Sequence, residues 1–374
     1  MSARRFVLAI AVAAGLVLSA PYVGQIRTLI RDAFPGRFVL VVGALIAVLL
    51  LAALVAGARR IRDRQRIRYG AIAAAIVVAA LYSVQNAGAN PDANVVELFH
   101  FVQYGLISFL FYRAWRPLGD AGTIVLPALA GVMIGTVEEW WQWFIPVRVG
   151  EVKDVLLNLV AIGTGLIFSL AIDPPPGDFA HLGAASRRKI RQLAALAILV
   201  FAVFFHAVHL GHQVVDDEIG TFGSRWTREG LLREQMETAT SWSISLPPVR
   251  VVRLAREDQY LTEGIQHVRE RNRRWEAGDI RGAWLENRIL EQYFEPVLDT
   301  PTHEGRGHRW SPEQRADAES RGLTAVGEPY VSEAYPYRLY TWPAWVHWLV
   351  ALGLAAVLWP GSGASGEPPP HRSV

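Results

Sequence analysis

The 374-residue sequence has no cysteine, and only two of its 37 basic residues are lysines, Lys153 and Lys189. The absence of cysteine excludes disulfide bonds, thiolate metal sites and a cysteine nucleophile. Charge is also scarce, because charged residues make up 19% of the chain against about 25% in an ordinary soluble domain. The chain lacks a Walker loop, a nucleophile elbow and a dinucleotide-binding glycine fingerprint. The scarcity of charge, together with an apolar content of 52% that is clustered in long runs, excludes an ordinary cytosolic enzyme, a disordered chain and a fibrous protein.

What the sequence has in excess is apolar runs of roughly 17–22 residues, the length at which a helix crosses a bilayer core of about 30 Å. Eight runs are visible, at residues 6–23, 38–56, 69–84, 98–115, 121–141, 155–172, 190–210 and 343–359. The sequence therefore predicts an all-α, polytopic membrane protein with about eight transmembrane helices. The first run is also typical of a signal peptide, but Pro21 disfavours cleavage after Ala20, so we interpret it as an uncleaved helix.

The strongest basic loop, residues 59–68, has six arginines, and the positive-inside rule places it in the cytoplasm. Alternation of the spans then places both termini in the cytoplasm and residues 211–342 outside it. This outer segment carries 22 acidic and 17 basic residues. The sequence pI of 9.2 therefore reflects short membrane loops and does not indicate a nucleic-acid-binding protein.

The predicted organisation follows from these runs and loops. It consists of a first span with its outer loop (1–37), a membrane domain (38–172), a further span (190–210), a mainly helical extracytoplasmic domain (211–342), a last span (343–359) and a disordered tail (360–374). In the outer domain, residues 256–276 and 280–298 have apolar residues at helical spacing on either side of a tight turn, which predicts an antiparallel helical hairpin. Residues 300–307 and 322–337 are predicted to be loops.

Three groups of polar residues lie at the predicted outer ends of the spans, where burial of ionisable groups is costly and indicates function. The first group opens the fourth span, where Glu97, His100 and Tyr104 share one helix face. The third group closes the seventh span, where His206, His209 and His212 are three residues apart. With His347, and with Asp216 or Asp217, these imidazoles form a weak candidate metal site; the alternative is an interfacial histidine band. No cofactor is predicted.

The second group runs from the fifth span through a loop into the sixth. It consists of Glu139, Gln142, Pro146, Arg148, Asp154 and Asn158. An arginine so close to two carboxylates can pair with Glu139 or Asp154 through a planar guanidinium fork. The alternative is structural, with these residues capping two helices and fixing a turn. Trp140, Trp141 and Trp143 are expected to form an interfacial aromatic belt.

The first two groups resemble the VanZ-like family of bacterial membrane proteins. The resemblance rests on His100 and Tyr104, followed by the pattern E-x2-Q-x3-P-x-R-x5-D-x3-N from Glu139 to Asn158 and by Gly163 and Gly165. It covers residues 38–172 and departs from the family at Glu97 and Leu98, where an aspartate–lysine pair is expected. It implies a multi-pass protein of the bacterial inner membrane, an outward-facing polar site and a link to low-level resistance to the glycopeptide teicoplanin. It implies no reaction.

Three functions are compatible with these observations. In the favoured one, Tyr104, Gln142, Arg148 and Asn158 bind a membrane lipid headgroup or a lipid-linked cell-wall intermediate. In the second, the protein is a membrane enzyme in which His100 acts as general base, oriented by Glu139 or Asp154. In the third, residues 211–342 are a scaffold that recruits an envelope protein.

Overall fold

The computed structural model describes residues 3–145, 150–176, 181–244, 256–301, 307–322, 329–335 and 338–359. Within these ranges, seven apolar helices have the length and composition to cross a membrane. The first is interrupted at Pro21 by a short 3-10 turn, because proline removes a helical hydrogen bond. The helices are α1 (Ala3–Ser19), α2 (Val23–Ala33), α3 (Phe38–Ala58), α4 (Gln65–Gln85), α5 (Pro91–Trp115), α6 (Gly122–Trp143), α7 (Val152–Ile172) and α8 (Ala184–His209), with α1 and α2 forming the first span.

The membrane helices form a bundle in which α6 and α7 are the most buried. Helices α3 and α4 leave most of their apolar side chains exposed, as helices that face lipid do. The centre of the bundle is filled by large apolar side chains of α5, α6 and α7. They include Tyr104, Ile107, Phe111, Leu126, Ala161 and Ile162. The prediction of a polytopic helical membrane protein is confirmed by this arrangement.

Polar contacts tie four helices together at one end of the bundle. Arg116, after α5, forms an ion pair of 2.8 Å with Asp173, after α7. Asp120, before α6, accepts hydrogen bonds from Gly183 N and Ser186 Oγ at the start of α8, each at 3.0 Å. The 59–68 loop lies at this same end, because Ile61 packs in one cluster with the last residues of α7. We call this end of the bundle the basic-loop end.

At the opposite end, residues 211–342 form a domain between α8 and a last apolar helix, and we call it the outer domain after its predicted position. Its elements are β1 (His212–Asp216), β2 (Gly220–Ser224), α9 (Arg228–Ile244), α10 (Arg256–Glu276), α11 (Ile280–Tyr293), α12 (Glu295–Asp299) and α13 (Pro312–Gly322), followed by the apolar helix α14 (Ala344–Leu358). With 15 residues, α14 is about 22 Å long and shorter than a bilayer core of about 30 Å. In the described residues seven helices are therefore long enough to span a membrane, and an eighth span at residues 343–359 stays a prediction.

The antiparallel β1–β2 hairpin is absent from the sequence-based expectation. Val214 pairs with Phe222, and both are 1% exposed, so the hairpin closes one side of the outer core. Its turn needs glycine at Gly220, which has a φ of +121° and whose Cβ would lie 2.4 Å from Tyr330 O. Strands of five residues show too short an alternation of apolar and polar residues to be recognised, and the acidic turn between them obscured the hairpin further.

The predicted helical hairpin is confirmed as α10 and α11. Gly278 at the turn has a φ of +80°, and Asp279 caps α11 by accepting a hydrogen bond from Gly282 N at 3.0 Å. Helix α11 ends at Tyr293 and not at residue 298, because Pro296 cannot continue its hydrogen bonding and instead opens α12. The predicted loops are non-helical where the structure describes them, apart from Gly322, which ends α13. The tail beyond residue 359 lies outside the described residues.

Candidate functional site

A buried polar cluster lies where α5, α6 and α7 meet towards the outer domain. It consists of Tyr104 from α5, Glu138, Glu139 and Gln142 from α6, and Asn158 from α7. Tyr104, Glu139 and Asn158 are 0% exposed, and the other two are at most 4% exposed. The structure therefore brings together four of the predicted site residues, and adds Glu138. We call these five side chains the polar cluster.

Hydrogen bonds connect all three helices within the polar cluster. The Tyr104 hydroxyl donates to Glu138 Oε2. Gln142 Nε2 lies 3.3 Å from Oε1 of both Glu138 and Glu139. Asn158 Nδ2 donates to Glu139 Oε1 at 3.4 Å. Neutral donors thus hold two adjacent carboxyl groups in an apolar setting, where each unpaired polar group is costly.

The α7 side of the polar cluster holds an open acceptor. Asn158 Oδ1 is buried and has no hydrogen-bond partner in the part of the chain that the structure describes. An unmade hydrogen bond of this kind costs about 1–3 kcal/mol. A donor from a bound molecule or water would remove that cost, so the chemistry of this acceptor suits a hydroxyl or amino group.

Glycines allow the three helices to approach closely around the polar cluster. A Cβ on Gly135 of α6 would lie 3.1 Å from Asn158 Cβ and 3.4 Å from the Tyr104 ring. A Cβ on Gly165 of α7 would lie 2.7 Å from the Gly105 Cα of α5. Small residues at helix contacts commonly allow such packing in membranes. Gly163, also part of the family resemblance, serves no such contact, because a Cβ added there would meet nothing within 4 Å.

Gly150 lets the chain pass close to the backbone of α6 before it enters α7. A Cβ at this position would lie 1.9 Å from Glu139 O, so only glycine fits there. The neighbouring Val152 N donates to His209 Nε2 of α8 at 3.4 Å. The polar cluster is consequently tied to the helix that leads into the outer domain.

The other predicted site residues lie outside the polar cluster. His100 Nδ1 is 3.3 Å from Val96 O on its own helix, and its ring lies parallel to that of Tyr104 at 6.4 Å. Within the described residues it makes no hydrogen bond to a carboxylate. Asp154 is only half-buried, one turn before Asn158. Pro146 and Arg148 lie outside the described residues, so the proposed pairing of Arg148 stays a prediction.

The sequence reasoning missed Glu138, Gly135 and Gly150. Glu138 carried a signal, because it precedes Gln142 by four residues and so shares its helix face. The two glycines carried none, since a close approach of two chain segments depends on which helices become neighbours.

The predicted histidine group does not assemble into a metal site. The predicted residues were His206, His209, His212, His347, Asp216 and Asp217. Both ring nitrogens of His209 lie against backbone groups, Arg338 O at 3.0 Å and Val152 N at 3.4 Å. His347 Nε2 lies 2.9 Å from Ala202 O. In the described ranges no group of three or more His, Asp or Glu side chains is placed to hold a metal ion.

The expected tryptophan belt is wrong for Trp143. Its side chain is 2% exposed and packs with Phe204 and Val208 of α8. Trp140 and Trp141 are half-buried. Trp143 therefore joins α6 to α8 as a core residue instead of facing the membrane surface.

Another buried carboxylate, unforeseen from the sequence, supports the contact between the outer domain and α8. Glu263 of α10 is 2% exposed and accepts hydrogen bonds from Ser224 Oγ and Arg225 N, each at 2.8 Å. The Arg225 side chain in turn donates to His206 O at 2.8 Å and to Leu210 O, which satisfies carbonyls at the end of α8. Burial raises the pKa of Glu263 to about 7, against the opposing effects of these hydrogen bonds and of His267.

Comparison of the chain with protein-family models, curated proteins and solved structures finds no match.

Proposed function

We propose that this chain is a VanZ-like protein of the bacterial inner membrane whose polar cluster binds a lipid headgroup or a lipid-linked cell-wall intermediate. The observation that carries the proposal is the burial of two carboxyl groups, two amides and a phenol between apolar helices. Ionisable residues at such depth are costly and are generally retained for function. The link to teicoplanin resistance rests on the sequence resemblance alone.

Each member of the polar cluster has a role in this proposal. Asn158 Oδ1 accepts a hydrogen bond from a hydroxyl or amino group of the headgroup, because it has no hydrogen-bond partner among the described residues. Gln142 and Tyr104 orient the carboxyl groups of Glu139 and Glu138. By its place in the sequence, Arg148 supplies the positive charge for a phosphate or carboxylate of the ligand.

The enzymatic alternative receives less support. A general base needs to lie within hydrogen-bond reach of its orienting carboxylate, and His100 instead contacts Val96 O. The scaffold alternative is distinguished by mutation. A scaffold would lose its activity when residues 220–338 are deleted and would keep its activity in Arg148→Ala.

Replacement of Asn158 by alanine is expected to remove a co-purifying lipid, because it deletes the open acceptor and the bond to Glu139. Native mass spectrometry of protein purified in mild detergent measures the bound lipid. The matched control is Ser169→Ala on the same helix, since among the described residues the Ser169 hydroxyl bonds only to Gly165 O of its own helix, at 2.7 Å. The proposal fails if wild type and both variants retain the same lipids in the same amounts.

The orientation of the bundle gives a further prediction. The arginines of the 59–68 loop should lie in the cytoplasm and the outer domain outside it, because positive loops are retained inside. Alkaline phosphatase fused at residue 270 should be active, and the same enzyme fused at residue 64 inactive. The reverse pattern would place the polar cluster on the cytoplasmic side and remove its access to cell-wall intermediates.

A further inference from the structure

The loop that joins α3 to α4 concentrates positive charge at the basic-loop end of the bundle. Residues 59–68 include six arginines and one acidic residue, Asp63. Asp63 pairs with Arg68 at 2.8 Å. The side chains of the other five arginines are exposed, and in the described part of the chain none of them has a carboxylate partner. This loop therefore presents uncompensated charge.

Three of these arginines line a concave surface. A shallow cavity of about 550 Å³, largely open to solvent, is bordered by Arg62, Arg64, Gln65, Arg66 and Ile67. Arg64 has a φ of 46°, and it is the one non-glycine residue with a positive φ among the described residues. This left-handed backbone is unfavourable for arginine, and it turns the chain so that the residues on either side border the same cavity.

The helices on either side of the loop place the cavity where a membrane surface is expected. The loop begins at the end of α3 and leads into α4, both apolar enough to cross a bilayer. Ile61 is 3% exposed and packs with Ile172 of α7, so the loop is held against the bundle. Ile67 is 73% exposed beside the arginines. An apolar side chain next to guanidinium groups suits the boundary between lipid headgroups and acyl chains.

We propose that this arginine cavity binds the phosphate group of an anionic phospholipid. Guanidinium groups bind phosphate oxygens through paired hydrogen bonds, and a phosphodiester is the anion that a membrane supplies at this depth. The partial positive charge at the N-terminus of α4 adds to this attraction. The first turn of the helix has neither an acidic residue nor a capping side chain to offset that charge. The site lies at the opposite end of the bundle from the polar cluster and does not depend on the function of that cluster.

The first test compares variants of the purified full chain in detergent, titrated with phosphatidylglycerol or phosphatidylcholine of identical acyl chains. Binding is measured by native mass spectrometry. The variant Arg62→Gln/Arg64→Gln/Arg66→Gln should bind phosphatidylglycerol at least about tenfold more weakly than wild type, since each arginine near an anionic surface contributes measurably. Its binding of phosphatidylcholine should not change.

A matched control removes the same charge from the same end of the bundle. Arg4, Arg5 and Arg188 are exposed residues of α1 and α8 outside the cavity. The variant Arg4→Gln/Arg5→Gln/Arg188→Gln should bind phosphatidylglycerol within about twofold of wild type, because none of these three residues borders the cavity. An equal loss in both triple variants would show a diffuse charge effect and overturn the site.

A single variant separates loss of binding from loss of folding. Arg64→Gly removes one guanidinium and places at this position the residue that adopts a left-handed backbone most easily. It should weaken phosphatidylglycerol binding by a few-fold while the thermal midpoint stays equal or rises. Unchanged binding in Arg64→Gly and in the first triple variant would overturn the proposal.

The source of the phosphate is decided by competition. Inorganic phosphate and glycerol 3-phosphate at millimolar concentration should leave bound phosphatidylglycerol in place, because they lack the acyl chains that lie beside Ile67. Displacement by either soluble anion at concentrations close to that of the lipid would identify a soluble phosphate as the ligand and overturn the lipid assignment.

Discussion

Replacement of Gly165 by alanine is expected to lower the stability of the membrane bundle by about 1–3 kcal/mol, the usual effect of overpacking a tight contact. The added Cβ would lie 2.7 Å from the Gly105 Cα, which is backbone and cannot turn aside, so α5 and α7 must separate. Tyr104 precedes Gly105 in the sequence, and its bond to Glu138 would be disturbed with it. A thermal unfolding series in one detergent measures the change as a lower midpoint.

Gly163 provides the control for this prediction on the same helix. An alanine there meets nothing within 4 Å and improves helix propensity, so Gly163→Ala should leave the midpoint unchanged or raise it slightly. Equal midpoints for Gly163→Ala and Gly165→Ala would contradict the close approach of α5 and α7 on which the polar cluster depends.

Replacement of Glu263 by glutamine is expected to change how the stability of the protein depends on pH. The ordinary pKa of a glutamate is 4.5, and burial raises that of Glu263 to about 7. Between these two values the folded protein holds a proton that the unfolded chain releases, so the contribution of Glu263 to stability falls as the pH rises through this window. The full decrease is about 3 kcal/mol, at about 1.4 kcal/mol for each pKa unit.

Glutamine cannot ionise, so Glu263→Gln lacks this decrease. The free energy of unfolding of the variant minus that of wild type should rise by about 2–3 kcal/mol between pH 5 and pH 8. Charges that act on this carboxyl group include Arg225 before α9 and His267 on α10, and both are unchanged in the variant. Unfolding of the full-length chain across this range measures the difference.

Glu276, at the exposed end of the same helix, supplies the control. Glu276→Gln removes a glutamate of α10 without touching the buried network, so its difference from wild type should stay nearly constant over the same range. A constant difference for Glu263→Gln as well would mean that this carboxyl group is not held in a desolvated environment.

The sequence predicted the membrane spans well, because a hydrophobic run of sufficient length has few alternatives to a spanning helix. It also predicted the α10–α11 hairpin, since Gly278 and Asp279 mark both the turn and the cap. It missed the β1–β2 hairpin, whose strands of five residues are too short for a clear periodic signal.

For the candidate site, the sequence identified the residues better than their contacts. Tyr104, Glu139, Gln142 and Asn158 come together because each lies on the inward side of its helix. The sequence did not indicate that the Tyr104 hydroxyl would donate to Glu138, the neighbour of the predicted Glu139. Which of two adjacent carboxylates meets a given helix depends on the rotation of α6, and no local pattern sets that rotation. Glycine contacts are equally non-local.

A structure of the protein in nanodiscs formed from its native membrane tests the central proposal most directly. We expect density for a lipid headgroup with a donor atom about 3 Å from Asn158 Oδ1 and an acyl chain that leaves between the helices. Density for a lone water at this acceptor, with no headgroup near the polar cluster, would contradict the proposal and identify the cluster as a structural link between α5, α6 and α7.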